Sequence, residues 1–385
     1  MEIPLKSKLV LAAALAASLS APALALATLT AAQAAPQKPQ ERILPAGSNL
    51  PLAQGEGRAV AEKLAAELSA SFVYDEQGKR YAKMLRSNAV AGRYDSGTRQ
   101  ELADRMTDDL QAVQKDGHLR VTVVERQAGG EGGGAVAARK GRPAPIQSAK
   151  LIAPGIAYIR FTAFMSTDEE VAAVRKFMDD HKDAKTFIFD LRNHHGGRLR
   201  EMDEIFPYLF ATKTPLVTME MRRSTFDENG SPFNQSPTLE MARDASYVRT
   251  THYALPGEAS PARDARVYLL TSNRTVSAGE HFSLVMKSTG RGTLIGEATA
   301  GANHFGGMSD VGDNFAAFIP IGRTYDIKTG EDWEGGGVAP DIDADPKQAL
   351  IIALEKAGLS HDEAVRLDAT EIPAEPVHSD KLRAR

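Results

Sequence analysis

The sequence predicts an α/β protein, a core of strands and helices with a small helical subdomain on its N-terminal side. Three features carry that prediction. Between Arg58 and Lys115 apolar residues recur at three-to-four spacing, the period of amphipathic helices. At Gly117 the period changes to two, as in a strand. From Ala149 onward, short apolar runs bounded by turn residues alternate with segments of helical period, the pattern of strands crossed by helices.

In chain order, Lys6 and Lys8 precede an Ala/Leu run from Leu9 to Thr28 that closes near Ala32-Gln33-Ala34. Residues 1–34 therefore read as a cleaved secretory signal peptide, and the expected location is periplasmic or secreted. Ala-rich stretches partition weakly into lipid, so no stable membrane insertion is expected after cleavage. Residues 35–57, rich in Pro, Gln, Gly and Ala without a period, read as a flexible leader.

The helical subdomain spans 58–115: Arg58 to Ser71 with Val60, Leu64 and Leu68, Gln77 to Asn88 with Tyr81, Met84 and Leu85, and Ser96 to Lys115 with Leu102, Met106 and Leu110. The core spans 116–357 and is interrupted at 126–145 by a linker containing AGGEGGG. Expected within it are a strand opened by His118, strand Ile156 to Phe161, helix Thr167 to Asp179 capped by Ser166 with Glu169, and strand Thr186 to Asp190. Helix Leu199 to Phe210 and strand Leu216 to Arg222 follow, and then a polar stretch, Arg223 to Ala265, with weak signals. Strand Val267 to Leu270, helix Ala278 to Met286, strand Thr293 to Gly296, a Gly-rich loop through Gly307, strand Phe315 to Ile319 and helix Ala349 to Lys356 complete the core. Residues 358–385 read as a polar tail.

A net charge of -4 with both signs interspersed leaves no basic stripe for nucleic acid, so no nucleic-acid partner is expected. The chain has no cysteine, which removes disulfides, thiolate metal sites and a thiol nucleophile.

Chemistry centres on Ser277, placed where a strand gives way to a helix. There a hydroxyl sits beside unpaired N–H groups and the positive end of the helix dipole, with Ala278 N–H as the nearest donor. Two readings stand: a nucleophile, or a cap completed by Glu280 in an S-x-x-E box. A serine needs a base. His118, at an element junction beside a glycine, is the best-placed histidine. Lys287 is nearly three turns along the same helix, and Lys328 is far downstream in a polar turn. A G-x-S-x-G elbow fails at Thr275, and S-x-x-K fails at Glu280. HExxH is absent, the adjacent His194 and His195 project differently, and GEATAGANHFGG lacks the G-K-[ST] of a phosphate loop, so neither a metal nor a cofactor is expected. The pair Gly196-Gly197, at the end of a strand, is either a turn or a place where backbone N–H groups face a crevice.

Four separated pieces in fixed order, DGHLRV at Asp116, FIFDLRNHHGG at Phe187, LLTSNRTVSAGE with IGEATAG behind it, and WEGGGVAPDI at Trp333, make the chain resemble the tail-specific, or C-terminal processing, serine proteases. That family also contains the tricorn protease core and the interphotoreceptor retinoid-binding protein repeats. The resemblance implies a mixed-sheet, crotonase-like (ClpP/crotonase) core, with Ser277 as nucleophile and the N–H groups of Gly196 and Ala278 as oxyanion donors. One branch pairs its serine with a lysine, where this chain has Ala302-Asn303-His304. The tricorn-like branch uses a histidine from a D-x-H segment, oriented through a serine by a glutamate in E-x-x-G-V-x-P-D. His118 and Glu334 match those two, Gly117 stands at the helper serine's position, and His304 is an alternative base. The stretch 126–145 is too short for the family's peptide-binding PDZ domain. The resemblance thus implies a serine peptidase acting through an acyl-enzyme on peptides or unfolded protein. The alternative is an inactive relative that binds a hydrophobic small molecule or peptide.

Overall fold

The structure, a computed structural model, describes residues 45, 47–124, 143–312, 314–371 and 373, all in the unit Leu44–Arg385. The expected signal peptide, the leader up to residue 44 and the linker between 126 and 142 lie outside the described residues. No helix among the described residues is long and apolar enough to cross a membrane.

Helices α1 (Glu56–Ser71), α2 (Asp75–Val90) and α3 (Arg99–Val113) come first. Thr98 caps α3 by accepting from Glu101 N–H, while the Glu101 side chain accepts from Thr98 N–H at 2.8 Å. Their apolar faces bury Leu64, Leu68, Tyr81, Leu85, Met106 and Leu110 together with Val121, Phe315 and Ile319. Those last three come from strands, so the helical unit shares one core with a sheet.

The chain then runs β1 (Arg120–Val123), β2 (Ile146–Ala153), β3 (Ile156–Phe161), α4 (Asp168–His181), β4 (Thr186–Asp190), α5 (Arg200–Leu209), β5 (Thr214–Arg222), α6 (Arg223–Asn229), β6 (Leu239–Arg243) and β7 (Tyr247–Ala254). A 3-10 turn at Pro261–Asp264 leads into β8 (Arg266–Thr271), α7 (Ala278–Ser288), β9 (Thr293–Gly296), β10 (Phe305–Gly312), β11 (Phe315–Asp326), β12 (Ile342–Asp343), α8 (Ala349–Ala357) and α9 (His361–Thr370).

Two six-stranded sheets result. The first has the order β12-β9-β8-β4-β3-β2; β2 is antiparallel to β3 and the other pairs are parallel, so the sheet is mixed. Helices cover both faces: Val174, Phe177, Phe206, Phe282 and Met286 on one side, Leu350, Leu354 and Ala364 on the other. Two covered faces explain why β3 and β4 read as nearly continuous apolar runs, interrupted by Arg160 in β3 and closed by Asp190 in β4, and are buried at every position. The second sheet is antiparallel, in the order β1-β11-β5-β7-β6 with β10 also on β11.

Several expectations need correction. The segment Arg223 to Ala265 holds α6 and the β6–β7 hairpin, whose outer strand is half-buried at Leu239 and exposed from Glu240 to Arg243, so it carries little apolar signal. The expected polar tail contains α9, which buries only Ala364. Helix α4 is capped by Thr167 with Glu170, one residue later than expected. Ser166 instead takes φ +57 and donates through N–H and Oγ to the two carboxylate oxygens of Glu201, each at 2.6 Å.

Candidate active site

Strand β8 delivers the chain to a turn, 272–276, stitched to the loop after β4. Thr275 Oγ1 donates to Leu191 O at 2.8 Å, Ser272 Oγ to Arg192 O at 2.5 Å, and Val276 N–H to His194 O at 2.8 Å. Thr275, which breaks the G-x-S-x-G pattern, is thus a buried tie between the two loops. Ser277 follows as the N-cap of α7 with φ 55 and ψ -114, a region that residues with a side chain enter only when surroundings hold them there. Its N–H donates to Glu280 Oε2 at 2.8 Å, and Ala278 N–H opens α7, where the first-turn donors have no partner within the helix.

Gly196 lies against this serine. A Cβ built on it would stand 2.9 Å from Ser277 Cβ, and its φ is +90, so both space and backbone require glycine. Its N–H donates to His194 Nδ1 at 3.1 Å. His194 is fully buried, burial pushes its pKa down to about 3, and as an acceptor at Nδ1 it carries its proton on Nε2, which has no partner. Of the two expected oxyanion donors, one therefore opens a helix and the other is engaged by a neutral imidazole.

The histidines sit in a second cluster. Asp116 Oδ1 accepts from His118 N–H and Leu119 N–H, each at 2.9 Å, while Oδ2 is 2.7 Å from His304 Nδ1. Glu334 Oε1 accepts Gly117 N–H at 2.7 Å, and Oε2 accepts Asn303 N–H at 2.7 Å and His304 N–H at 3.2 Å. Glu334 thus meets His304 and the backbone of Gly117, and His118 Nδ1 is left buried without a partner. Gly117 has no hydroxyl to join the two, and a Cβ there would stand 2.8 Å from both Cα and Cβ of Ala302.

The His118 ring stacks on Phe318 with centroids 5.0 Å apart, and burial pushes its pKa down to about 4. His304 moves the other way: burial lowers it, but the hydrogen bond and charge of Asp116 more than offset that and raise its pKa. Its Nε2 is buried without a partner, and its ring meets Tyr74 edge-on at 5.5 Å, so the α1–α2 junction walls this side.

The two clusters are joined through Glu280. Its carboxylate accepts Ser277 N–H and also Ala302 N–H at 2.9 Å, and Ala302 is the residue Gly117 packs on. Ser277, with Gly196 and Ala278 beside it, is therefore linked through Glu280 to the loop junction of Gly117, Ala302, His304 and Glu334, and among the described residues no hydrogen bond joins Ser277 Oγ to His118 or His304. Asp116 and Glu280 belong to it as well. The sequence marks the first only as the start of DGHLRV and the second as a cap or a failed S-x-x-K lysine position.

Asp116, His304 and Glu334 bring ligand-type atoms within 4.8 Å of one another. Every one of those carboxylate oxygens already accepts an N–H, so the three side chains form a hydrogen-bonded cluster.

Residues 155–344 match the family described as Peptidase family S41. The carboxyl-terminal-processing peptidase 1, chloroplastic, of Arabidopsis thaliana is 23% identical over 189 residues, covering 49% of this chain and 33% of that protein. The carboxyl-terminal-processing peptidase 3, chloroplastic, of the same plant is 23% identical over 186 residues, covering 48% of this chain and 31% of that one. The chain thus spans about a third of the length of these curated relatives. A solved structure of a candidate peptidase from Parabacteroides merdae superposes with a TM-score of 0.52 at 16% identity, covering 79% of this chain and 97% of that one, a likeness of fold. Over residues 155–344, which hold five of the six strands of the mixed sheet, the serine turn and the glycine-rich loop, the chain is similar to peptidase family S41.

Proposed function

We propose that this protein is a secreted or periplasmic serine peptidase that hydrolyses peptide bonds in peptides or unfolded protein. The observation that carries the reading is Ser277: a serine in a strained backbone state at a helix N-terminus, pressed on Gly196 and tied through Glu280 to the loop of His304. Strain of this kind costs about 1–3 kcal/mol and persists where function needs it.

Ser277 Oγ attacks the substrate carbonyl while a histidine takes its proton. The tetrahedral oxyanion takes Ala278 N–H and Gly196 N–H, the latter exchanging its 3.1 Å bond to His194 for the stronger charged acceptor. The histidine then returns the proton to the leaving amine, and water hydrolyses the acyl-enzyme. His118 is the proposed base; it follows Gly117, which packs on Ala302, and its low pKa keeps it neutral and able to accept. A second reading of the base is favoured by the 2.7 Å bond from Asp116 to His304 Nδ1, the pairing that orients an imidazole and leaves Nε2 to accept.

Ser277→Ala is expected to abolish hydrolysis of an unfolded, fluorescein-labelled casein while leaving the circular dichroism spectrum unchanged. Turnover surviving in that variant would falsify the assignment. His118→Ala against His304→Ala separates the bases. The true base should cost about 10²–10⁴-fold in kcat and the other much less. Micromolar binding of a fluorescent apolar probe, with no hydrolysis from either parent or variants, would mark a carrier.

A further inference from the structure

Glu280 lies one turn along α7 from Ser277 and is fully buried. A cap accounts for one of its contacts. Its two oxygens accept four donors from two segments: Ser277 N–H at 2.8 Å and Ala302 N–H at 2.9 Å on Oε2, Gly301 N–H at 2.6 Å and Thr299 Oγ1–H at 2.7 Å on Oε1. Thr299 Oγ1 in turn accepts Val338 N–H at 2.7 Å, and Gly335 N–H donates to Gly301 O at 2.8 Å, so the loop of Glu334 hangs on the same set. There is little slack in it, because a Cβ on Gly337 would fall 2.1 Å from Thr299 O.

All four partners donate. An ionised carboxylate offers about four acceptor sites and no donor, and no uncharged side chain of that size matches it. Burial pushes this carboxyl up to about 7, against the downward pull of the same four bonds. Meanwhile Ser277 holds φ 55 without glycine's freedom, with its N–H bonded to Glu280.

The geometry points to Glu280 as a positioning residue for the acylation step: as a carboxylate, it fixes the backbone of Ser277 against the loops carrying His304 and Glu334, without touching substrate. This rests on the peptidase reading. It assigns the residue a task beyond capping, since three of its four donors lie outside the first turn of α7.

The test uses the full chain and Glu280→Gln, which keeps shape but sets an NH2 donor against donors. The readouts are the labelling rate of Ser277 by a fluorophosphonate, kcat and KM on labelled unfolded casein, and the thermal unfolding midpoint. Labelling and kcat are expected to fall about tenfold or more with KM within about twofold, because a small misplacement of a reacting group costs rate rather than binding. A folded variant that labels at the parental rate overturns the proposal, and so does one whose whole loss lies in KM. If Glu280→Gln does not fold, Thr299→Val, which removes one donor of the four, is read by the same criteria. It should lower kcat several-fold, and parental kcat there overturns the proposal. A folded parent that neither labels nor hydrolyses defeats the peptidase reading itself, before any variant is compared.

Discussion

Gly117 shows how one residue fixes what its neighbours can do. The tricorn-like pattern would place a hydroxyl there to pass Glu334's influence to His118, yet a Cβ at this position would stand 2.8 Å from Ala302 Cα and Cβ. Backbone cannot yield as a flexible side-chain end does, so Gly117→Ser should not restore a relay. Overpacking is expected to cost about 1–3 kcal/mol, seen as a lower thermal unfolding midpoint, and to lower kcat on unfolded casein. A gain in kcat would mean that Ala302 moves aside. Residues such as Ser277 and Gly196 were legible in the sequence because their meaning is local: a hydroxyl at a strand–helix junction, a glycine pair at a strand's end. Asp116 and Glu280 were not. A carboxylate declares itself through its partners, and His304 lies 188 residues from Asp116, while Gly301 and Ala302 lie 21 and 22 from Glu280.

Elements buried on both faces announce themselves. Strands β3, β4 and β9 appear where short apolar runs stand between turn residues, and the first two are buried at every position. The β6–β7 hairpin is the opposite case. Along β6 only Leu239 is half-buried and the other four residues are exposed, while β7 alternates, so neither strand accumulates an apolar run in a stretch rich in charge. The cap of α4 moved by one residue because Ser166 and Thr167 have similar capping chemistry. What separates them is Glu201, 35 positions on, which claims Ser166 for itself.

Across the whole molecule, the mixed sheet follows from alternating strands and helices, but the second sheet does not, since it collects strands from β1 to β11. Stability should carry the mark of the buried imidazoles. Burial pushes His118 down to about 4, His194 to about 3 and His281 well below its usual value. An unfolded histidine titrates near pH 6.5, so below that the unfolded chain takes up protons that these folded residues refuse, and stability falls with pH. Glu280, raised to about 7, works in the opposite sense: the folded chain holds a proton there that the unfolded one has released, a contribution lost as pH rises through about 7. His304, raised by Asp116, and Glu201 and Glu334, raised by burial, act in the same sense as Glu280, but the three histidines are displaced across the whole window, so the unfolding midpoint should drop between pH 6.5 and 5. A flat or rising profile would show that these histidines are charged in the fold.

One tie reaches further. Arg160 in β3 pairs with Asp190 at the end of β4 at 2.9 Å, and its guanidinium also holds the carbonyl of Glu371 at 3.2 Å, across a separation of 211 residues. During synthesis, therefore, the ion pair at the centre of the mixed sheet waits for its last ligand until α9 has emerged from the ribosome. A chain stalled after the nucleophile turn would carry its serine on a sheet whose buried arginine still lacks the carbonyl that both its terminal nitrogens bond.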